Sequence, residues 1–444
     1  MRGFARLPDL IASQLSRTPR DGSAKAKGHH GAPKPASRSQ TDAVGFAQFA
    51  MSLARGKAAG HHRDRGLILP VNSDGQEDYL RQTYIGKGQF LVRQDQWDVL
   101  GRLTRETDLN RETTTEGTSY ARLLSLGARS DFVTAATAAY HAGGQPDASV
   151  LAGLEEALDD HPECWGVAVV VAQAHMDMGL ASLGPRRPTS RPPCDGANCI
   201  HHFNRAAEIL DPFSAIELGS ALLAEARCDL LSGIPDAPDR VCDDFEDLID
   251  LDPGNPRHLR NFGLRLLPRW FGSFEILDEM AHETAERVED IWGDGGYTWV
   301  WFDVLRAVPE AADRLDIDRY VEGIKDILDR RGTQHVTNLM AAHAGVVMDP
   351  TSAPDDISAT ARRNRKKIND SFGAIVRERL HELHPGHWAE AQLSPFANLP
   401  AVEDLAEDGE AMARSLISRH FHQELEAGQI VTFAPGGVEL RNPA

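Results

Sequence analysis

NRAAEILDP (204–212) and FEDLIDLDP (245–253) close on the same phrase, and LEEALDDHP (154–162) closes on a near variant of it. Aligned on Pro162, Pro212 and Pro253, the three segments repeat one apolar stripe. Val150, Ile200 and Val241 stand twelve residues before the proline, Leu154, Phe203 and Phe245 eight or nine before it, and Ala157, Ala207 and Leu248 five before it. Such spacing marks one buried face of an amphipathic helix. The proline then ends the helix, because its ring disfavours helical geometry in the residue ahead of it. A new helix follows each stop. Ser214 and Glu217 fit a capping box, and Asn255-Pro256 sets an N-cap before a proline at the first helical position. The unit is therefore helix, proline stop, helix.

This unit resembles the tetratricopeptide repeat (TPR) and its relatives, whose second helix ends in an Ala-x-x-x-Asp-Pro-like phrase and whose period is 34 residues. The separations here are 50 and 41 residues, the longer one containing the Pro-rich insertion GPRRPTSRPPCDGAN. The resemblance is thus to TPR-like arrays rather than to the standard repeat. Leu259, Phe262, Gly263 and Leu266 follow Pro253 in the register where such repeats place a large residue and then a small one for close packing. LLPRWFGSFEIL (266–277) is similar to a Pro-Arg-Trp-Gly-Gly-Ser corner of uncharacterised bacterial TPR-like proteins, with Phe271 in place of one glycine. Pro268 ends one helix there, Gly272 permits the turn, and Ser273 caps the next helix.

Outward from this centre the chain reads as an all-α, TPR-like α-solenoid of antiparallel helix pairs over 75–350. Helices are expected at 94–108, 117–127, 130–142, 147–160, 296–308, 316–331 and 333–348. Residues 1–74 read as a disordered leader with one short helical stretch. Residues 351–444 read as a helical extension, with long helices over 357–383 and 401–427. It ends in a β-hairpin at IVTFAPGGVELR (430–441), two alternating runs around Pro-Gly-Gly. An isolated hairpin is marginal, so it should dock on a helix or on a second chain.

The bulk numbers exclude several function classes. Net charge is −19, with +6 over residues 1–40 and −25 over the rest. An acidic body repels phosphate, so nucleic acid is not an expected partner. No apolar run reaches the length of a membrane span. Five scattered cysteines are an odd count, which reads as reduced thiols and a cytoplasmic location. ARRNRKK (361–367) lacks aromatic neighbours and reads as a solvated helix face. GKGQFL (86–91) has no third glycine in place, and Lys87 is not followed by the hydroxyl residue that a phosphate loop needs.

Two sets of residues could carry function. As a TPR-like array, the chain would bind a protein or peptide in its groove. Arg257, Arg260, Arg265, Arg269 and Trp270 would supply cations beside an aromatic in an otherwise acidic body. The alternative is a metal-binding enzyme or small-molecule-binding protein using CDGANCIHH (194–202). There Cys194, Cys199, His201 and His202 are candidate zinc ligands, with Cys164 or Cys242 completing the set. Adjacent His201 and His202 would point about 100° apart on a helix, which strains that reading. In HELHPGHW (381–388), His381, His384 and His387 form a second histidine group, but Pro385 keeps the third out of line with the first two. A third reading makes the chain a structural subunit held in a larger assembly by its C-terminal hairpin.

Overall fold

Polar caps and proline stops set the helix ends largely where the sequence places them. The computed structural model describes residues 66–72, 75–184, 194, 196–396 and 402–442. The expectations for the leader up to residue 65 and for the Pro-rich insertion at 185–193 lie outside the described residues. In chain order the elements are β1 (Leu67–Ile68), α1 (Gly75–Arg93), α2 (Trp97–Leu109), α3 (Tyr120–His141), α4 (Ala148–Asp160), α5 (Trp165–Ala181) and α6 (Ala197–Leu210). There follow α7 (Ala215–Leu218), α8 (Ala221–Leu230), α9 (Ala237–Leu251), α10 (Pro256–Arg265), α11 (Phe274–Arg287), α12 (Glu289–Trp292) and α13 (Gly295–Ala307). The last part holds α14 (Ile317–Arg331), α15 (Gln334–Ala342), α16 (Ala359–Asn369), α17 (Phe372–Glu378), α18 (Pro385–Glu390), α19 (Val402–His420), α20 (His422–Glu426), β2 (Ile430–Ala434) and β3 (Gly437–Arg441).

The three proline-stopped segments are α4, α6 and α9, and each helix stops two residues before its proline. Asn255 accepts from Arg257 N at 3.2 Å and Ser273 from Ile276 N at 3.2 Å, as their cap positions require. The Ser214 cap also forms, accepting from Glu217 N, but it opens only the single turn of α7. Gly219 then turns left-handed (φ +62°) and Ser220 caps α8. In α4 and α9 the stripe is buried at Leu154, Ala157, Val241, Phe245 and Leu248. In α6 the buried face is rotated. Cys199, His202, Phe203 and Ala206 face inward, and Ile200 is exposed.

Helices pack chiefly on near neighbours in sequence: α1 on α3, α3 on α5, α5 on α6, α8 on α9, α10 on α13, and α13 on α14. Glycines allow the closest of these contacts. Gly263 of α10 faces the backbone of Val300 in α13, and a Cβ there would lie 1.9 Å from Val300 O. Gly88 of α1 and Gly127 of α3 meet reciprocally, against Leu124 O and Ile85 O. Gly88, the second glycine of GKGQFL, therefore serves packing, while a Cβ at Gly86 would meet open space. Trp292, Trp299, Trp301 and Tyr297 are core residues, and Trp292 Nε1 donates to Pro253 O at 2.8 Å, which ties the aromatic cluster to the repeat stop.

Several expected elements differ, among them the helix over 401–427, which breaks at Phe421 into α19 and α20. The two helices expected at 117–127 and 130–142 form one, α3 (Tyr120–His141), with no break near 128, because Gly127 and Ala128 are packed against α1 rather than placed at a turn. The expected helix at 357–383 divides into α16 and α17, which sends Ile368 and Phe372 into the core from separate axes. The helix expected over 333–348 becomes α15 followed by a π turn at His343–Val347. The hairpin forms as expected, but β2 also pairs in parallel with β1, so residues 66–72 join the C-terminal strands. Leu383 N donates to Pro70 O and Asn72 N to Leu383 O, both at 2.8 Å, extending that clasp. The hairpin thus docks on its own chain, against β1 and α17. The basic run behaves as a solvated face, with Lys366 on Asp370 and Lys367 on Asp318. Arg365 is the exception, buried and donating to Val347 O at 2.6 Å.

Two stability predictions follow from this packing. Gly263→Ala has no room for its methyl between two backbones and should destabilise the fold by about 3 kcal/mol or more in urea denaturation. His343 is buried on Phe302, with Nε2 2.8 Å from Tyr320 Oη. Burial pushes it down to about 3. Arg306, Arg365 and Arg260 push the same way, and Asp303 opposes them. The unfolded chain takes up this proton near pH 6.5 and the folded chain only near 3. Its contribution is therefore intact above 6.5 and shrinks as pH falls toward 3. Between pH 6.5 and 4.5, unfolding free energy should fall more steeply in the wild type than in His343→Leu, by up to ~1.4 kcal/mol per pH unit.

Candidate metal centre

The Cys/His group of 194–202 does not assemble as a zinc site. Cys194 and Cys199 are joined in a disulfide with their Cα atoms 5.2 Å apart, and a disulfide sulfur is not a thiolate ligand. His201 is exposed, while His202 turns into the core one face away. His202 Nε2 lies 3.0 Å from Tyr140 Oη, and its Nδ1 lies 3.0 Å from Nδ1 of His175. Two neutral imidazoles meeting through the same nitrogen must be opposite tautomers, one donating and one accepting. Burial, reinforced by His175 and His201, pushes His202 down to about 4, so the pair is neutral near pH 7. Beyond it, His175 Nε2 is 3.4 Å from Glu155, which Arg205 grips at 2.6 Å. The reading of five reduced thiols is corrected as well: Cys164, Cys228 and Cys242 are free.

The five groove residues also separate. Arg260 is buried and forms a two-bond pair with Asp303, Nε to Oδ2 at 2.9 Å and Nη2 to Oδ1 at 3.0 Å, with its guanidinium over Phe302. Removing one partner of such a pair costs about 3–5 kcal/mol, so Arg260 holds α10 to α13 and is not a surface cation. Arg265 donates to Ser232 Oγ at 2.9 Å and lies over the Trp270 ring. Arg269 lies over Phe396, whose ring is 6.3 Å from that of Trp270. Arg265, Arg269 and Trp270 therefore form one half-buried cation–π group. Arg257 points elsewhere, donating from Nη1 to Thr118 Oγ1 at 3.1 Å.

That bond leads to a site the local motifs do not reveal. The α2–α3 connection folds into a tight turn. Gly117 N donates to Thr114 O at 3.0 Å with Gly117 left-handed (φ +79°), and Thr118 N donates to Thr114 Oγ1 at 3.0 Å. Glu116 sits in this turn. Glu77 of α1 braces it, with Oε2 accepting from Thr115 Oγ1 at 2.8 Å and from Glu116 N at 3.0 Å. Arg81 joins Arg257 on Thr118 at 2.9 Å. Arg111, at the foot of the loop, donates to Leu251 O and Gly219 O. The loop is thus pinned between α1 and the ends of α7 and α9.

Two histidines from the C-terminal part meet Glu116. His335 lies in the first turn of α15, which Thr333 caps. His387 is buried in the short helix α18, which Pro385 begins. His387 Nε2 is 2.8 Å from His335 Nδ1, and these atoms are 3.8 and 3.7 Å from Glu116 Oε1. A triangle with these sides has a point about 2 Å from all three corners, the length of a zinc–nitrogen or zinc–carboxylate bond. Of the HELHPGHW histidines only His387 contributes. His384 turns to Glu382, with Nε2 3.0 Å from Oε1. The small polar pocket lined by Arg111, Thr113, Ser119 and Asp108 lies at the base of the same loop. Asp108 there accepts from Ser220 Oγ at 2.6 Å and from Leu222 N at 3.0 Å.

The cysteine pairing is directly countable. Denatured without reductant, the chain should show three titratable thiols, and five after reduction, in a chromogenic thiol assay; five in both would remove the disulfide. No family model, curated protein or solved structure matches the chain.

Proposed function

We propose that the chain is a helical-array protein built around a mononuclear divalent-metal centre, with Glu116, His335 and His387 as its ligands. The observation that carries this reading is the convergence of two imidazole nitrogens and one carboxylate oxygen at metal-ligand spacing, from three segments remote in sequence. Two nitrogens and one oxygen suit zinc or iron(II) rather than the oxygen-seeking magnesium or calcium. Three protein ligands leave coordination positions open. That is the pattern of a catalytic centre, in which the ion polarises a bound water or substrate oxygen. The runner-up from the sequence, a metal-dependent enzyme, is retained in class and moved to a different set of residues.

The helix pairs read as a TPR-like solenoid supply the frame. A second reading, recognition of a protein or peptide by that array, now has Arg265, Arg269 and Trp270 as its residues, with support from the exposed aromatics Tyr79 and Phe90 on one stripe of α1. Arg257 moves to the metal reading as a brace of the loop that carries Glu116. Among the described residues no helix is long and apolar enough to cross a membrane.

Elemental analysis of the purified full-length chain, and titration of the chelator-treated chain with zinc, should give one ion per chain. Glu116→Gln should weaken zinc binding at least about tenfold, and His335→Ala or His387→Ala should abolish stoichiometric binding. Cys194→Ser should leave the stoichiometry unchanged. Binding that survives His387→Ala and disappears with Cys194→Ser would return the metal to 194–202.

A further inference from the structure

Asn338 lies on α15, one turn beyond His335, and is wholly buried. Its amide has two donor and two acceptor positions, and all four are filled. Nδ2 donates to Gln334 O and to Glu382 O, both at 2.9 Å. Oδ1 accepts from His384 N at 3.0 Å and from Trp388 Nε1 at 2.9 Å. Gln334, four residues earlier and so on the same helix face, makes a second clamp. Its Oε1 accepts from His381 N at 3.0 Å and Glu382 N at 3.2 Å, and its Nε2 donates to Arg379 O at 2.8 Å. The two amides therefore hold the 379–384 backbone and the Trp388 indole against α15.

The placement of the two histidines gives this grip a consequence. His335 directly follows Gln334, and His387 directly precedes Trp388. Trp388 is fully buried and edge-on to Phe372, so it fixes the rotation of α18. A slide or roll of α18 along α15 that changed the 2.8 Å spacing of the imidazole nitrogens would also stretch the bonds to Asn338. Ligand distances in metal sites tolerate only about 0.2 Å, and residues behind the ligands typically govern affinity about 10–100-fold.

We infer that Asn338, assisted by Gln334, is the positioning residue of the centre, setting the distance between His335 and His387 so that the imidazole pair is formed before any ion arrives. This rests on the metal reading of Glu116, His335 and His387. Neither amide touches the ion; both act through the backbone and indole they hold.

Cobalt(II) is the probe, because its visible ligand-field bands report coordination geometry as well as occupancy. Titrated into the full-length chain after chelator treatment, it should bind the wild type at one per chain. Asn338→Asp keeps the acceptor oxygens and removes the two donations. It should bind cobalt about 10–100-fold more weakly, with shifted bands. Leu154→Ala, a buried core change on α4, which packs chiefly on α3 and α5, should lower the melting temperature and leave cobalt affinity and spectrum unchanged. If Asn338→Asp does not fold by circular dichroism, Gln334→Met decides by the same criteria. Wild-type affinity and bands in the folded variant would overturn the positioning role while leaving the metal centre intact. No cobalt or zinc binding by the wild type would overturn both.

Discussion

The 110–119 loop is the constraint on which the site depends. It leaves α2, turns at Thr114–Gly117 and returns to α3, and Arg111, Thr115, the Glu116 N–H and Thr118 along it are each held by another element. Glu77 and Arg81 hold it from α1, Arg257 from α10, and the carbonyls of Leu251 and Gly219 hold Arg111. Most buried polar groups must find partners, since leaving one without costs about 1–3 kcal/mol. With these partners Thr114 and Thr118 are buried, while the rest of the loop is half-buried or exposed. Glu116 is carried to the C-terminal histidines by that bonding. The clasp of β1 on β2 and of Pro70 and Asn72 on Leu383 brings the same two regions of the chain together by backbone bonds.

Local features were legible in the sequence because they are local. The proline stops, the Asn255 and Ser273 caps, the close-packing role of Gly263 and the terminal hairpin each depend on a few neighbouring residues, and each appears in place. The errors share one cause. Ile200 and Cys199 are equally acceptable on a helix face by periodicity. The face that is buried was decided by what α6 meets, the Gly179 turn of α5 and the His175 imidazole. Polar His202 took a buried position because another buried histidine supplies its partner. The 194–202 group looked like a metal site for the reason that misled: ligand types close in sequence. The triad that does converge has its members at 116, 335 and 387, and no spacing rule connects them.

The arginines show the same limit from the electrostatic side. Five residues in one sequence neighbourhood suggested one basic surface. Arg260 is instead spent on Asp303, Arg257 on Thr118, and Arg265 and Arg269 on aromatic rings. A guanidinium is a planar fork of five donors, and in an acidic helical body it finds carbonyls, carboxylates and ring faces readily. Net charge constrained which partners to exclude. It carried no information on which cations stay at the surface.

An ion at the triad would act on the fold as well as on chemistry. Without one, the 2.8 Å contact between His335 and His387 requires a proton on one nitrogen and a lone pair on the other, while the carboxylate of Glu116 stands 3.7 and 3.8 Å away. A dication accepts all three lone pairs at once and offsets the carboxylate charge. Because Glu116 belongs to the α2–α3 loop and the histidines to α15 and α18, binding free energy would be added to the bonds that hold those regions together. A ligand at a hundred times its dissociation constant adds about 2.7 kcal/mol to stability. Against a net folding stability of roughly 5–15 kcal/mol that is a substantial share. If the proposed centre binds an ion, the three ligands would therefore do two things at once: hold the ion and join the α2–α3 loop to α15 and α18.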